Sequence, residues 1–209
     1  MKVEIKICGI NDEQSAIASI GAEYVGFVFY KNSVRYVSEP NVKNLMSYLN
    51  KDQKTVGLFV NSKIEEIVRI SENLDLDFIQ LHGEENVKFI KELKKVSNKK
   101  IIKAIPVKTI EDIKISEEFK NLCDMILFDT KTSSSHFGGT GKTFNWELLK
   151  NFKFTKKWMI AGGINIGNIE KAIQVSNPGV VDISSGVEKS LGVKCKKKIR
   201  EIIKYVKKV

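Results

Sequence analysis

Residues able to move protons stand at the downstream ends of several apolar runs. "VEIKIC" ends on Cys8, "FIQLHG" carries His82, and "MILFDT" carries Asp129. A thiolate can take a proton and a carboxylic acid can give one, so Cys8 and Asp129 form a candidate base and acid. A free thiol has a pKa of about 8.5, and a basic surrounding would help to ionise it. The other reading of Cys8 is a small core hydrophobe, the usual state of a buried free cysteine. Position alone leaves both open. His82 reads either as a site residue or as a hydrogen-bonded structural histidine. No second histidine or acid stands at ligand spacing beside it, so no metal is expected. Lys6, Arg35 in "YKNSVRYVS", Asn61, Gln80 and Asp182 follow or end other apolar runs.

Three glycine-rich turns accompany these residues: Gly162-Gly163 in "WMIAGG", Ser185-Gly186 in "VVDISSG", and Gly141 in "GGTGKT". Glycine lets the backbone approach a ligand closely, and backbone N–H groups bind anions, so these turns are candidate phosphate loops. "GGTGKT" by itself resembles a nucleotide phosphate loop, with Asp129 as its Mg²⁺ carboxylate. That motif needs glycine five residues before Gly141, where His136 stands, and a helix opening straight from the strand, where Phe144-Asn145-Trp146 intervene. NTPase activity is therefore not expected, and the three turns read as a phosphate site of another kind.

The elements that must position these residues repeat. Eight short apolar runs start near residues 3, 24, 55, 78, 101, 125, 158 and 180, roughly 20–33 residues apart. Polar stretches with helical period lie between them, such as "NSKIEEIVRISENL" and "ENVKFIKELKKV". Strands alternating with helices mean βαβ units and a parallel sheet. Their nearly continuous apolar character fits strands covered on both faces. Eight units predict an α/β fold, a single-domain (β/α)8 barrel of the TIM type over residues 1–209, with an open doubly wound sheet as the alternative. In such a barrel the strand ends share one rim, and loops after strands seven and eight often hold phosphate. The glycine turns at 162–163 and 185–186 fall at those two places.

Composition narrows the class. The 209 residues are 42% hydrophobic and 29% charged, the profile of a soluble globular chain. No apolar run approaches the roughly 20 residues that span a bilayer, and "MKVEIKICGI" carries no apolar leader, so a cytoplasmic location is expected. Cys8, Cys123 and Cys195 are an odd number without zinc-type spacing, which argues against disulfides. Cys123 and Cys195 read as structural. The net charge of +10 is densest in "KCKKKIREIIKYVKKV". Ile199, Ile202, Ile203 and Val206 there make one apolar helix face, so the lysines read as a solvated surface rather than a nucleic-acid patch.

Taken together, "KICGI", "GFVFYKNSVRYVS", "IQLHGEE", "GGTGKTFNW", "AGGIN" and "VDISSGVE" resemble the phosphoribosylanthranilate isomerase family, in its order and spacing over nearly the whole chain. The resemblance implies a (β/α)8 barrel and an Amadori rearrangement in tryptophan biosynthesis, without metal or organic cofactor. It implies Asp129 as general acid, Cys8 as general base, and Arg35 as the holder of the anthranilate side. Asp182 would contact a sugar hydroxyl, and His82 joins the substrate-binding set. The phosphate would lie on Gly141, Gly162, Gly163, Ser185 and Gly186. The only partner implied is the small phosphosugar–anthranilate substrate, with no nucleic acid or membrane, for a monomer or homodimer. Asn145 departs from the family's usual "TFDW", which touches a loop contact rather than the acid–base pair. A histidine-pathway isomerase of similar chemistry fits less well, because strand one carries Cys8 and strand five ends "AIPV" where paired aspartates would stand.

Overall fold

Each of the eight apolar runs forms a strand, and each strand is extended enough to alternate its side chains between two apolar surroundings. In the computed structural model, which describes residues 2–131, 141, 143–150, 152 and 155–208, these are β1 (Glu4–Cys8), β2 (Tyr24–Val28), β3 (Lys54–Phe59), β4 (Phe78–Leu81), β5 (Lys100–Val107), β6 (Met125–Thr130), β7 (Trp158–Ile160) and β8 (Val180–Ile183). All neighbours pair in parallel, and β1 pairs with both β2 and β8. The sheet is therefore a closed barrel, not the open doubly wound alternative.

The alternation sets what faces inward. Ile5 and Ile7 of β1 join the layer between barrel and helices. Tyr24, Val56, Phe78, Ile102, Leu127 and Met159 instead pack with one another inside the barrel. Above them sits a smaller cluster of Cys8, Val28, Leu58 and Val60. The inner wall is thus apolar below and carries Cys8 near its top.

Among the described residues, seven α-helices surround the strands: α1 (Glu13–Ala18), α2 (Glu39–Met46), α3 (Ile64–Asn73), α4 (Val87–Val96), α5 (Ile110–Lys114), α6 (Ile169–Ser176) and α7 (Lys196–Val206). Their starts follow local chemistry. The Asp12 side chain accepts from the Ser15 N–H at α1, and the Asn86 side chain accepts from the Phe89 N–H at α4. α7 buries Ile199, Ile202, Ile203 and Val206, the apolar face read from the sequence, and packs on α1 and β1. α2 is not evident from sequence, because only Val42 and Leu45 are buried on it; Pro40 in its first turn starts it. Between β6 and β7 the described residues form a 3-10 turn, Trp146–Leu149, which buries Trp146 and Leu149 where other units place a helix. A 3-10 turn Ser185–Val187 and a small hairpin, β9 (Glu188–Ser190) with β10 (Val193–Lys194), follow β8. Among the described residues, no helix is long and apolar enough to cross a membrane.

Candidate active site

Lys6 and Cys8 are two residues apart on β1, so both face the barrel interior. Gly26 of β2 stands beside Cys8 in register, and a Cβ there would lie 2.8 Å from Cys8 Sγ. The glycine makes the room that the thiol occupies. Lys6 is 0% exposed. Its Nζ donates to Gln80 Oε1 at 2.8 Å and to Asp182 Oδ2 at 3.0 Å. Burial by itself lowers the Lys6 ammonium's pKa, but the charges of Asp182 and Cys8 outweigh it and hold the value above the ordinary one. Burial pushes the Cys8 thiol up, against the pull of Lys6. Lys6 and Lys194 pull the thiol toward ionisation, as a basic surrounding should, but desolvation outweighs them.

Asp129 ends β6. Its Oδ1 accepts from the Thr130 N–H at 2.7 Å, and its Oδ2 lies 3.2 Å from His82 Nε2. His82 Nδ1 lies 2.9 Å from Gln80 Nε2. The loop that carries His82 is held by Glu85, whose carboxylate accepts from the backbone N–H groups of Asn61 at 2.8 Å and Gly83 at 3.0 Å, and from Lys103 Nζ at 2.9 Å. Asp182 spends Oδ2 on Lys6, while its Oδ1 is buried without a partner among the described residues. A buried acceptor without a partner is costly, and a ligand hydroxyl would satisfy it.

Arg35 reaches the rim from the loop after β2. Glu188 grips it in the bidentate fork, with Nε–Oε1 at 2.6 Å and Nη2–Oε2 at 3.0 Å. Lys194 Nζ donates to the same Glu188 Oε1 at 3.1 Å. Burial would raise the Glu188 carboxyl's pKa, but Arg35 and Lys194 keep it below its ordinary value. The Arg35 chain lies over Gly9, where a Cβ would come within 2.8 Å of its Cδ.

Cys8, Arg35, His82, Asp129 and Asp182 line one pocket, with Gly162, Gly163 and Ser185 at its edge. Beside it, a second hollow is lined by Gly141, Gly163, Ser185 and Gly186, and by Lys198 of α7. Gly162 and Gly163 adopt φ of +87° and +66°, a region that favours glycine. At Gly186 a Cβ would lie 1.9 Å from the Ile164 carbonyl oxygen, so the loops after β7 and β8 touch there. The ten expected site residues therefore converge on one rim. His136, Lys142 and the rest of 132–140 lie outside the described residues, so the closing of that loop is not described.

Sequence reasoning gave no role to Gln80, Lys6, Glu188, Lys194 or Lys198. Lys6 and Gln80 are hidden inside apolar runs, and their polarity at inward positions was the available signal. Lys198 was hidden in a lysine run that reads as solvated surface.

A closed parallel barrel with its polar groups and glycine turns gathered on the C-terminal rim defines the class: a (β/α)8-barrel enzyme. The family model described as PRAI, N-(5'phosphoribosyl)anthranilate (PRA) isomerase, matches residues 5–205. The N-(5'-phosphoribosyl)anthranilate isomerase of Thermoanaerobacter sp. (strain X514) is 42% identical over 207 residues, covering 98% of each chain. The crystal structure of phosphoribosyl anthranilate isomerase from Thermotoga maritima superposes with a TM-score of 0.90 at 35% identity, covering 99% of this chain and 100% of that one. A structure of such an isomerase in complex with reduced 1-(o-carboxyphenylamino)-1-deoxyribulose 5-phosphate gives 0.84 at 32% identity, covering 99% of this chain and 100% of that one. The chain belongs to the N-(5'-phosphoribosyl)anthranilate isomerase family. It is an isomerase of tryptophan biosynthesis.

Proposed function

We propose that Cys8 and Asp129 carry the isomerisation as base and acid. Asp129 gives its proton to the furanose ring oxygen, the C1–O bond breaks, and the anthranilate nitrogen lone pair forms a C1=N iminium. Cys8 thiolate takes the proton from sugar C2, and that electron pair moves into C1=C2 while the nitrogen becomes neutral. The enolamine then tautomerises to the ketone, giving the 1-deoxyribulose. A buried ammonium, Lys6, acts on Cys8 from the same strand, and its charge favours the thiolate.

Binding follows the same geometry. Arg35, aligned by Glu188, takes the anthranilate carboxylate. Asp182 Oδ1 accepts from a sugar hydroxyl. His82 lines the substrate pocket beside Asp129. The phosphate lies on Gly141, Gly162, Gly163, Ser185 and Gly186, with Lys198 lining the same hollow. The solved relative with a bound reduced product analogue supports this ligand class. Three free cysteines support a reducing, cytoplasmic location. A relative from Thermotoga maritima is described as dimeric, and a homodimer is the assembly proposed here.

The observation that carries this reading is the thiol and the carboxyl reaching one pocket from β1 and β6, beside a glycine-lined hollow. Loss of substrate fluorescence with purified protein tests it. Cys8→Ala and Asp129→Ala should each lower kcat by about 10²-fold or more with the fold intact by circular dichroism. Full activity in either variant would remove that residue from the mechanism.

A further inference from the structure

A chain of polar contacts crosses the barrel interior along the pocket wall. Lys6 donates to Gln80, Gln80 pairs with His82 Nδ1, and His82 Nε2 lies 3.2 Å from Asp129 Oδ2. Its protons can be assigned from one end. The Lys6 ammonium has only donors. The Gln80 atom 2.8 Å from it must therefore be the carbonyl oxygen, since the flipped amide would set two donors against each other where both residues are 0% exposed. The other end of the amide is then NH2, aimed at His82 Nδ1. Nδ1 must answer with a lone pair, which leaves the imidazole proton on Nε2, facing Asp129 Oδ2.

We propose that Lys6 and Gln80 are positioning residues that lock His82 in its Nε2–H tautomer, so that His82 donates to Asp129 and stabilises the carboxylate that forms as the acid gives up its proton. The catalytic part rests on the reading of Asp129 as the acid; the tautomer lock does not. A hydrogen bond to a carboxylate is about twice as strong as one to a neutral carboxyl, so the His82 contact strengthens as the proton leaves. An interaction that strengthens along the reaction lowers the barrier. Among the described residues, the neighbouring carboxylates are engaged elsewhere: Glu85 on the same loop is spent on Asn61, Gly83 and Lys103, and Asp182 is turned to Lys6. The charge of the same Lys6 also acts on Cys8, pulling the thiol toward ionisation. One buried ammonium thus supports the base directly and the acid through two side chains.

Two-bond 1H–15N correlation spectra of 15N-labelled protein read the tautomer directly. The chain has two histidines, and a His136→Gln variant assigns the signals. His82 should show protonated Nε2 and bare Nδ1 at neutral pH. Gln80→Glu keeps the shape but sets an acceptor against Nδ1, so Nδ1 should become protonated. Its kcat should fall about tenfold or more, part of the ~10²–10⁴ that general acid catalysis supplies, with KM within about twofold. A wild-type spectrum with protonated Nδ1 overturns the lock, and that measurement needs no variant to fold. A Gln80→Glu protein with an altered tautomer and unchanged kcat overturns the link to Asp129. Retained activity in Asp129→Ala would instead remove Asp129 as the acid and leave the tautomer result standing.

Discussion

Cys8, Cys123 and Cys195 have the same side chain in three different physical settings. Burial pushes the Cys8 thiol up, with Lys6 pulling against it. Cys123 is buried and pushed up to about 12 by desolvation. Cys195 caps α7, and the backbone N–H groups of Lys198 and Lys197 draw its pKa below the ordinary value. Thiolate fraction and access set alkylation rate. Iodoacetamide at neutral pH should therefore label Cys195 first, Cys8 more slowly and Cys123 last, as followed by peptide mass spectrometry. Faster labelling of Cys8 would contradict the burial account. Cys8 was visible in sequence because it closes an apolar run before glycine. Its ionisation was not, because that depends on a cavity wall built from other strands.

At the scale of elements, Glu188 joins the loop after β2 to the hairpin after β8. It holds Arg35 from one and Lys194 from the other. Its folded pKa lies below its unfolded value of about 4.3. The ion pairs therefore contribute stability that is present above about pH 4.3 and lost as pH falls through the lower, folded value. Glu188→Gln should remove that acid-side dependence and cost about 3 kcal/mol near neutral pH in urea titrations, since it leaves two buried cations without their counter-charge. It should also raise KM by freeing the Arg35 fork. A variant with the wild-type acid limb and unchanged KM would refute the joint role. The eight strands were legible from their apolar runs. α2 was not, because two buried residues make too sparse a period to read.

The whole molecule carries a net charge of +10, and its rim presents Lys198 beside the glycine hollow. A substrate with a phosphate and a carboxylate would be drawn to it. Raising ionic strength from about 10 mM to about 0.5 M shortens the Debye length from about 30 Å to a few ångströms. kcat/KM should then fall several-fold while kcat holds, in steady-state assays across that range. A salt-independent kcat/KM would show that the lysines act only as solvated surface.

Local order along the chain was enough to determine the eight strands and most of the helices between them. It also determined which residues close each strand, because hydrophobic period and turn chemistry are properties of neighbouring residues. That order places Cys8, His82, Asp129 and Asp182 at strand ends whatever the partners. Closure of the sheet decided the rest. Lys6 meets Gln80 and Asp182 across 74 and 176 residues of sequence, and only the pairing of β1 with β8 and the shared interior bring them together. Which proton His82 carries follows from that meeting, because a buried ammonium admits one orientation of one amide.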